Sequence, residues 1–203
     1  MSSVPGRSGR AFLSLLLIGS TMAVLACGGG GDGGSNPPPT LTANFAGSTS
    51  VATQDLVRLT GGTASGDTVT VNVVIGGIST SSDIYSFAMD LTLSDPTVAR
   101  LIPGSAQVGT ALTTSGGQTI TVLADQASGS DTIVLGASHV GGGVGNAIAA
   151  GEPIILSLSF EVLKVGSTTV SIAAPPTSAA LDSLLGTIGS VTFDPAAATL
   201  SGI

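Results

Sequence analysis

The sequence of 203 residues contains few of the side chains on which most protein chemistry depends. It has no tryptophan, one histidine, one cysteine, one lysine and two glutamates. Only 8% of its residues are charged, against about 25% in a typical globular domain. Acid–base and metal catalysis draw on His, Cys, Glu and Lys, so most classes of enzyme are disfavoured. Five Lys and Arg residues cannot neutralise a run of phosphates, which excludes a basic nucleic-acid binder. We therefore expect a non-catalytic protein with no cofactor and no nucleic-acid partner.

The first 26 residues are organised like an export signal. Arg7 and Arg10 form a basic region, residues 11–18 are apolar, and small residues lead to Ala26 and Cys27. The apolar run is shorter than the roughly 20 residues that a membrane-spanning helix needs. Its ending resembles the lipobox of bacterial lipoproteins, in which the cysteine becomes the lipidated first residue of the mature chain. The alternative is an ordinary secretory signal cut near Ala26, which would leave Cys27 as a free thiol.

The lipoprotein interpretation predicts an exported chain, anchored by Cys27 to the outer membrane or cell surface. Gly28 fits the outer membrane, and the lipid would be the only membrane contact. Residues 27–40 then form a Gly- and Pro-rich tether, and residues 41–203 form one domain. Removing residues 1–26 leaves three cations against twelve acids, a formal charge of −9. Such a surface repels anionic lipids and anionic polymers.

Residues 41–203 alternate between apolar and polar side chains in many short segments. Residues 69–75, 85–93, 133–137 and 154–162 each place apolar side chains at every second position. Clusters of Gly, Ser, Asp and Pro separate these segments. This pattern predicts an all-β protein in which two antiparallel sheets pack as a sandwich. Only residues 178–185 suggest a helical turn.

Five motifs in this region resemble those of cohesin domains. They are GDTVTV at Gly66–Val71, DPTV at Asp95–Val98, Pro103–Gly104, GEPIILSLSFEV at residues 151–162, and VTF at Val191–Phe193. The resemblance covers about residues 55–203. It implies a sandwich of jelly-roll type with about nine strands, related to several carbohydrate-binding modules. It also implies a role in binding a dockerin module within polysaccharide-degrading complexes.

The resemblance further indicates a partner-binding strand. Cohesins often carry Asn-x-Asp in that strand, and Asp90 is the retained residue of the matching positions 88–90. We expect one polar face bearing Asn72, Asp90 and Thr92 to contact the partner.

Four other motifs have simpler structural explanations. Gly61 and Gly66 have P-loop spacing, but Asp67 stands where the lysine is required. The glycines of residues 141–145 precede no helix, as a dinucleotide site would require. Ser138 and His139 would point to opposite faces of a strand and could not form a catalytic pair. No calcium-loop array connects the acids that could supply oxygen ligands, so most are expected to form turns. These acids are Asp83, Asp90, Asp95, Asp125 and Asp131.

Three functions remain open at this point. The first is a surface lipoprotein whose cohesin-like domain binds a protein partner such as a dockerin. The second is a carbohydrate-binding module, which the scarcity of aromatic residues disfavours because sugars stack on Trp and Tyr. The third is a structural envelope or adhesion module. Exposed aromatics in a groove would favour the second, and a flat, aliphatic and hydroxyl-rich sheet face would favour the first.

Overall fold

A computed structural model describes residues 40–76, 83–113, 119–141, 145–147 and 150–203. These residues form no α-helix, and none of them lies in a helix long and apolar enough to cross a membrane. Their strands are β1 (Ala43–Ala46), β2 (Leu56–Ser65), β3 (Thr68–Ile75), β4 (Asp83–Ile84), β5 (Ser86–Leu93), β6 (Ala99–Leu101), β7 (Gln107–Val108), β8 (Ile120–Asp125), β9 (Thr132–His139), β10 (Asn146–Ala147), β11 (Ile154–Val162), β12 (Gly166–Ile172), β13 (Ala179–Leu181), β14 (Thr192–Phe193) and β15 (Ala198–Gly202).

The strands form two main sheets. The first has the order β1-β15-β12-β5-β9-β8, with β13 also paired to β5. The second has the order β14-β2-β3-β11-β6, with β7 also paired to β11, and β10 and β4 form a separate short pair. Every pairing is antiparallel except that of β14 with β2. The all-β, antiparallel two-sheet prediction is confirmed. The described residues form fifteen strands rather than about nine, because short segments such as β4, β7, β10 and β14 form additional pairs.

The core lies between the sheets because each long strand turns its apolar positions inward. Alternate side chains of a strand point to opposite faces, so one apolar register fills the interior and the other register faces water. Strands β3, β5 and β11 contribute most of the large buried side chains. These are Val69, Val71, Val73, Ile75, Phe87, Met89, Leu91, Leu93, Leu156, Leu158, Phe160 and Val162. The whole cluster lies within the compact unit Pro37–Ile203, which therefore contains its own core.

The predicted helical turn at residues 178–185 is wrong. Ala179–Leu181 forms β13, which pairs with residues 86–88 of β5. The chain then turns tightly through Asp182–Gly186, where the amide of Leu185 donates to the carbonyl of Asp182. Alanine and leucine favour a helix in isolation, but pairing along an open strand overrides that weak preference.

A buried carboxylate ties the segment after β1 to the strands at the end of the chain. Asp194 accepts hydrogen bonds from the hydroxyl of Ser48, from the hydroxyl of Ser50 at 2.7 Å, and from the amide of Ala196 at 2.9 Å. Burial acts to raise the pKa of Asp194, but these hydrogen bonds and nearby Arg58 outweigh it and hold the pKa below its ordinary value. Asp194 therefore remains ionised and holds the segment after β1 against the segment after β14.

Candidate functional site

The three residues predicted to share one partner-binding face do not share one. Asn72 lies on β3 in the second sheet, whereas Asp90 and Thr92 lie on β5 in the first sheet. The two outer surfaces point away from each other, so the prediction of a single face is wrong. The alternation of a strand distinguishes inward from outward positions, but it does not say which sheet the strand joins. Asn72 also has a local partner, since its amide oxygen accepts from the hydroxyl of Ser157 at 2.7 Å.

Asp90 and Thr92 belong to a continuous surface that we call the β5–β9 face. It comprises the outward side chains of β5, β9 and β8. These are Ser86, Ala88, Asp90, Thr92, Thr132, Val134, Gly136, Ser138, Thr121, Leu123 and Asp125. The register aligns them in rows across the sheet, with Ala88 opposite Gly136 and Gly136 opposite Leu123. In the next row Asp90 lies opposite Val134, which lies opposite Asp125. The face is therefore regular, and the small residues Ala88 and Gly136 lie side by side in one of its middle rows.

Two aliphatic side chains lie exposed on this face. Leu123 has 55% of its surface exposed and Val134 has 45%. Both occupy the polar register of their strands, between inward residues such as Val122 and Leu135. Sequence reasoning did not identify them as site residues, although an apolar side chain in the outward register is a detectable signal. They place exposed aliphatic surface in the two middle rows of the face, on β9 and the edge strand β8, while the outer rows carry hydroxyl groups.

The face carries negative charge that no described cation neutralises. The three ion pairs among the described residues join Arg58 to Glu152, Arg100 to Glu161, and Lys164 to Asp95. Arg58 and Arg100 lie on strands of the second sheet, and Lys164 lies in the connection between β11 and β12. Asp90 and Asp125 flank Val134 about 10 Å apart, two strand spacings across the sheet.

The aromatic side chains of the described residues are directed into the protein. Tyr85, Phe87 and Phe160 are buried, while Phe45 and Phe193 are partly buried and pack against the core. Within the described ranges there is no exposed aromatic platform of the kind on which sugar rings stack. The alternation of residues 85–93 predicts that Tyr85 and Phe87 face the core, and both are buried.

No catalytic pair forms at Ser138 and His139. They adjoin at the end of β9, with Ser138 facing outward and His139 buried, as the alternation predicts. Neither ring nitrogen of His139 has a hydrogen-bond partner, and burial lowers the pKa of this histidine despite the opposing charge of Asp83. His139 packs against the ring of Tyr85, with 5.3 Å between the ring centroids. It is a neutral core residue.

The acids considered as calcium ligands are dispersed over the fold. In the part of the chain that the structure describes, no three His, Cys, Asp or Glu side chains are grouped to hold a metal ion. Asp95 forms a turn, accepting from the amide of Thr97 at 2.9 Å and from its hydroxyl at 2.6 Å. These hydrogen bonds are the main cause of the lowered pKa of Asp95.

A cleft of about 500 Å³ lies between β6 and the turn that joins β8 to β9. Its apolar lining includes Pro96, Pro103 and Leu163. The Gln126 side chain accepts from the Leu101 amide at 2.7 Å and donates to the Ser130 carbonyl at 2.7 Å. Arg100 is paired with Glu161. Two of the polar side chains that line the cleft, those of Arg100 and Gln126, are therefore bound to protein partners.

Residues 27–39, which include Cys27 and all of the predicted tether except Thr40, lie outside the described residues, so the lipid-anchor interpretation remains a prediction. The same holds for the signal peptide of residues 1–26.

No protein-family model and no curated protein matches the chain. Among solved structures it is similar to the sixth cohesin of scaffoldin B from Acetivibrio cellulolyticus, solved in complex with a Cel5 dockerin mutant. The identity is 18%, the TM-score is 0.48, and the match covers 76% of this chain and 96% of that chain. A type II cohesin from the cellulosome of the same organism matches at 14% identity and a TM-score of 0.47, covering 78% and 95%.

A third similar structure is a non-cellulosomal cohesin from Archaeoglobus fulgidus. It has 12% identity and a TM-score of 0.41, with 74% of this chain and 83% of that chain covered. These similar structures are all cohesins. They belong to the family whose motifs the sequence resembles, and at this level of identity the similarity concerns the fold alone.

Proposed function

We propose that this chain is a non-catalytic docking module that binds another protein through the β5–β9 face. The single observation that carries the proposal is the contrast between the outer faces of the two sheets. The β5–β9 face has Leu123 and Val134 exposed in its two middle rows, next to the small residues Ala88 and Gly136. A flat surface of this kind allows a protein partner to approach the backbone closely and to bury both aliphatic side chains.

The outer face of the second sheet provides the comparison. Its middle rows are polar, with Asn72 between Thr60 and Ser157, and Glu161 between Thr68 and Arg100. Two pairs of these side chains bind each other, in the Asn72–Ser157 hydrogen bond and the Arg100–Glu161 ion pair. Polar groups that are already paired gain little from a partner and lose their contact with water. Docking is therefore favoured on the first sheet.

The charge of the face defines the chemistry of the partner. Asp90 and Asp125 are acids without a described cation nearby, so a partner with Lys or Arg at matching positions would gain electrostatic complementarity. The resemblance to cohesins makes a dockerin-type module the first candidate, in the context of polysaccharide degradation. Direct polysaccharide binding is the competing outcome, and the inward aromatic side chains argue against it.

The test measures the affinity of residues 37–203 for a panel of calcium-loaded dockerin modules and for insoluble polysaccharides. We expect saturable binding to a protein module and no retention on polysaccharide. Asp90→Arg should weaken that binding at least about tenfold, because it places a cation against the cations of the partner. Asp67→Arg makes the same change of charge in the exposed turn between β2 and β3 and should leave binding intact.

Three further outcomes would contradict the proposal. Retention on polysaccharide without binding to any protein would identify a carbohydrate-binding module. A loss of binding in Asn72→Arg but not in Asp90→Arg would move the interface to the second sheet. If the chain binds neither protein nor polysaccharide, the structural envelope role is favoured instead.

We also propose that the chain is exported and anchored through a lipid on Cys27. The support is the order of the N-terminal sequence, in which a basic region, an apolar run, Ala26–Cys27 and a Gly- and Pro-rich stretch follow one another. Cells expressing the full chain with an alkyne-labelled fatty acid should yield labelled protein in the membrane fraction. The Cys27→Ser variant should be unlabelled and soluble. Equal membrane association of both forms would contradict the lipid anchor.

A further inference from the structure

Two adjacent leucines project from the turn that follows β13. We call Asp182–Gly186 the Leu-Leu turn. Leu184 has 89% of its surface exposed and Leu185 has 66%. Isolated apolar residues are common on protein surfaces, but two adjacent leucines exposed to this degree form a compact apolar projection.

The turn is held in one conformation. The carboxylate of Asp182 accepts from the amides of Leu184 and Gly186, both at 2.9 Å. The amide of Asp182 donates to the carbonyl of Gly186 at 2.9 Å, which closes the turn from the other side. The side chains at its tip are therefore presented by a fixed backbone. A preorganised projection loses less conformational entropy on binding than a flexible one.

Leu185 occupies a backbone conformation that is unfavourable for leucine. Its φ of 63° lies in the left-handed region, where the Cβ atom crowds the backbone and glycine is the ordinary choice. A bulky residue at such a position destabilises the fold. Leu185 has 66% of its surface exposed, so packing against the domain offsets little of this cost. A binding role would account for an exposed leucine at this position.

The Leu-Leu turn lies at the margin of the β5–β9 face. β13 pairs with the start of β5, where Leu181 is opposite Ser86 and Ala179 is opposite Ala88. The turn therefore extends β13 beyond the end of the face that begins at Ser86. The chain enters the domain at the other end, where Ala43 is paired with Gly202 and Gly202 with Gly166. Because Val170 of β12 is opposite Leu93 of β5, Gly166 lies about eleven residue positions along the sheet from Ser86. At about 3.3 Å per residue, the two ends are roughly 36 Å apart.

We propose that Leu184 and Leu185 form an anchor that enters an apolar cleft of the same protein partner that covers the β5–β9 face. This inference rests on the proposed function and extends its interface to the β13 side of the face. A protein partner is favoured over a lipid surface for two reasons. Asp182 adjoins the leucines in an acidic protein, which anionic headgroups repel, and the turn is at the end of the domain opposite to Thr40, where the chain enters.

The first test maps contacts residue by residue. Residues 37–203 are prepared with the photo-cross-linker p-benzoylphenylalanine in place of Leu184, of Asp90 or of Val51. Val51 is also an exposed apolar residue, but it lies outside both the face and the turn. Each protein is irradiated with the dockerin panel and with secreted and envelope proteins of the producing cells. We expect positions 184 and 90 to capture the same protein and position 51 to capture none of it.

The second test uses the strained backbone of Leu185. Leu185→Gly removes an apolar side chain and relieves the left-handed strain, so the unfolding temperature should rise while the affinity for the captured partner falls at least about tenfold. Leu184→Ser should weaken binding to a similar degree. Val51→Ser, the matched control, should bind like the wild-type protein.

The possible results separate this inference from the proposed function. Cross-linking from position 90 alone, or unchanged affinity in Leu185→Gly and Leu184→Ser, would overturn the anchor and leave the docking face in place. Capture from neither position would overturn both. Flotation with phosphatidylethanolamine–phosphatidylglycerol vesicles that depends on Leu184 would also refute the protein-cleft proposal, because it would assign the leucines to a lipid surface.

Discussion

Replacing Asp194 should destabilise the domain strongly. Its side chain has 1% of its surface exposed, and it binds two hydroxyls and one amide. Asp194→Ala leaves these donors buried without an acceptor. Asp194→Asn keeps the shape and one carbonyl oxygen but removes the charge. The two variants therefore separate the contribution of the hydrogen bonds from that of the charge.

The size of the effect follows from these contacts. A hydrogen bond to a charged group contributes about 1.5–3 kcal/mol, and an unsatisfied buried donor costs about 1–3 kcal/mol. The cost of burying the carboxylate offsets part of the free energy that these hydrogen bonds contribute. Three hydrogen bonds to one carboxylate also contribute less than three separate ones would. We therefore expect Asp194→Ala to lower the free energy of unfolding by about 3 kcal/mol and Asp194→Asn by roughly half as much. A loss of about 3 kcal/mol is a large part of the total stability of a domain.

Urea unfolding of residues 37–203 at several pH values measures this difference. The pKa of Asp194 is lower in the folded protein than in the unfolded chain, so its stabilising effect is complete above the unfolded value of about 3.9. The effect is lost as the pH falls through the lower pKa of the folded state. The difference between the wild-type protein and Asp194→Asn should therefore be constant near neutral pH and shrink below about pH 4. A loss in Asp194→Ala under about 1 kcal/mol at pH 7 would refute the reasoning, because it would mean that water replaces the network without cost.

Three further changes test the core and one close approach of the backbone. His139→Phe keeps a ring beside Tyr85 and removes two unpartnered nitrogens, so its unfolding temperature should equal or exceed that of the wild-type protein. Because burial lowers the pKa of His139 in the folded state, the wild-type protein should lose stability as the pH falls below about 6.5, and thermal unfolding of His139→Phe should lack this loss. Phe160→Ala should cost about 3–5 kcal/mol in urea unfolding, and a loss under about 1 kcal/mol would contradict its core position. Gly109→Ala would push a Cβ atom against the carbonyl oxygen of Ile154, so circular dichroism should show a clearly lower unfolding temperature than in Gly189→Ala, where no atom lies near and φ is not positive.

The sequence was sufficient to predict which side of each long strand faces the core. In residues 85–93 the apolar positions are all buried, because a half-buried strand must alternate with a period of two. The same rule correctly predicted that Ser138 and His139 point to opposite faces of their strand. It also identified Tyr85 and Phe87 as core residues, which removed the main support for sugar stacking.

The pairing of strands could not be predicted from the same information. Asn72 and Asp90 occupy equivalent outward positions, yet the chain crosses from one sheet to the other between β3 and β5. Residues 178–185 suggest a helical turn in the sequence, because the strand character of β13 comes from pairing with β5 rather than from its own residues. The network of Asp194 joins residues 146 positions apart in the sequence, and no local pattern reports such a contact. These errors all concern long-range pairing, and they affected the site directly because the predicted face combined residues of both sheets.

The distribution of charge over the described residues gives an independent reason to place binding on the first sheet. The arginines at 58 and 100 neutralise glutamates on or beside the second sheet, and Lys164 lies near Asp95 at the end of the domain where the chain enters. The acids of the β5–β9 face form no ion pair with a described cation. An isolated domain would gain little stability from unpaired acids beside exposed aliphatic residues. A partner that brings cations to Asp90 and Asp125 and covers Leu123 and Val134 would use both features at once. The salt dependence of the complex follows from this arrangement, since raising the ionic strength should slow association while the aliphatic contacts keep dissociation nearly constant.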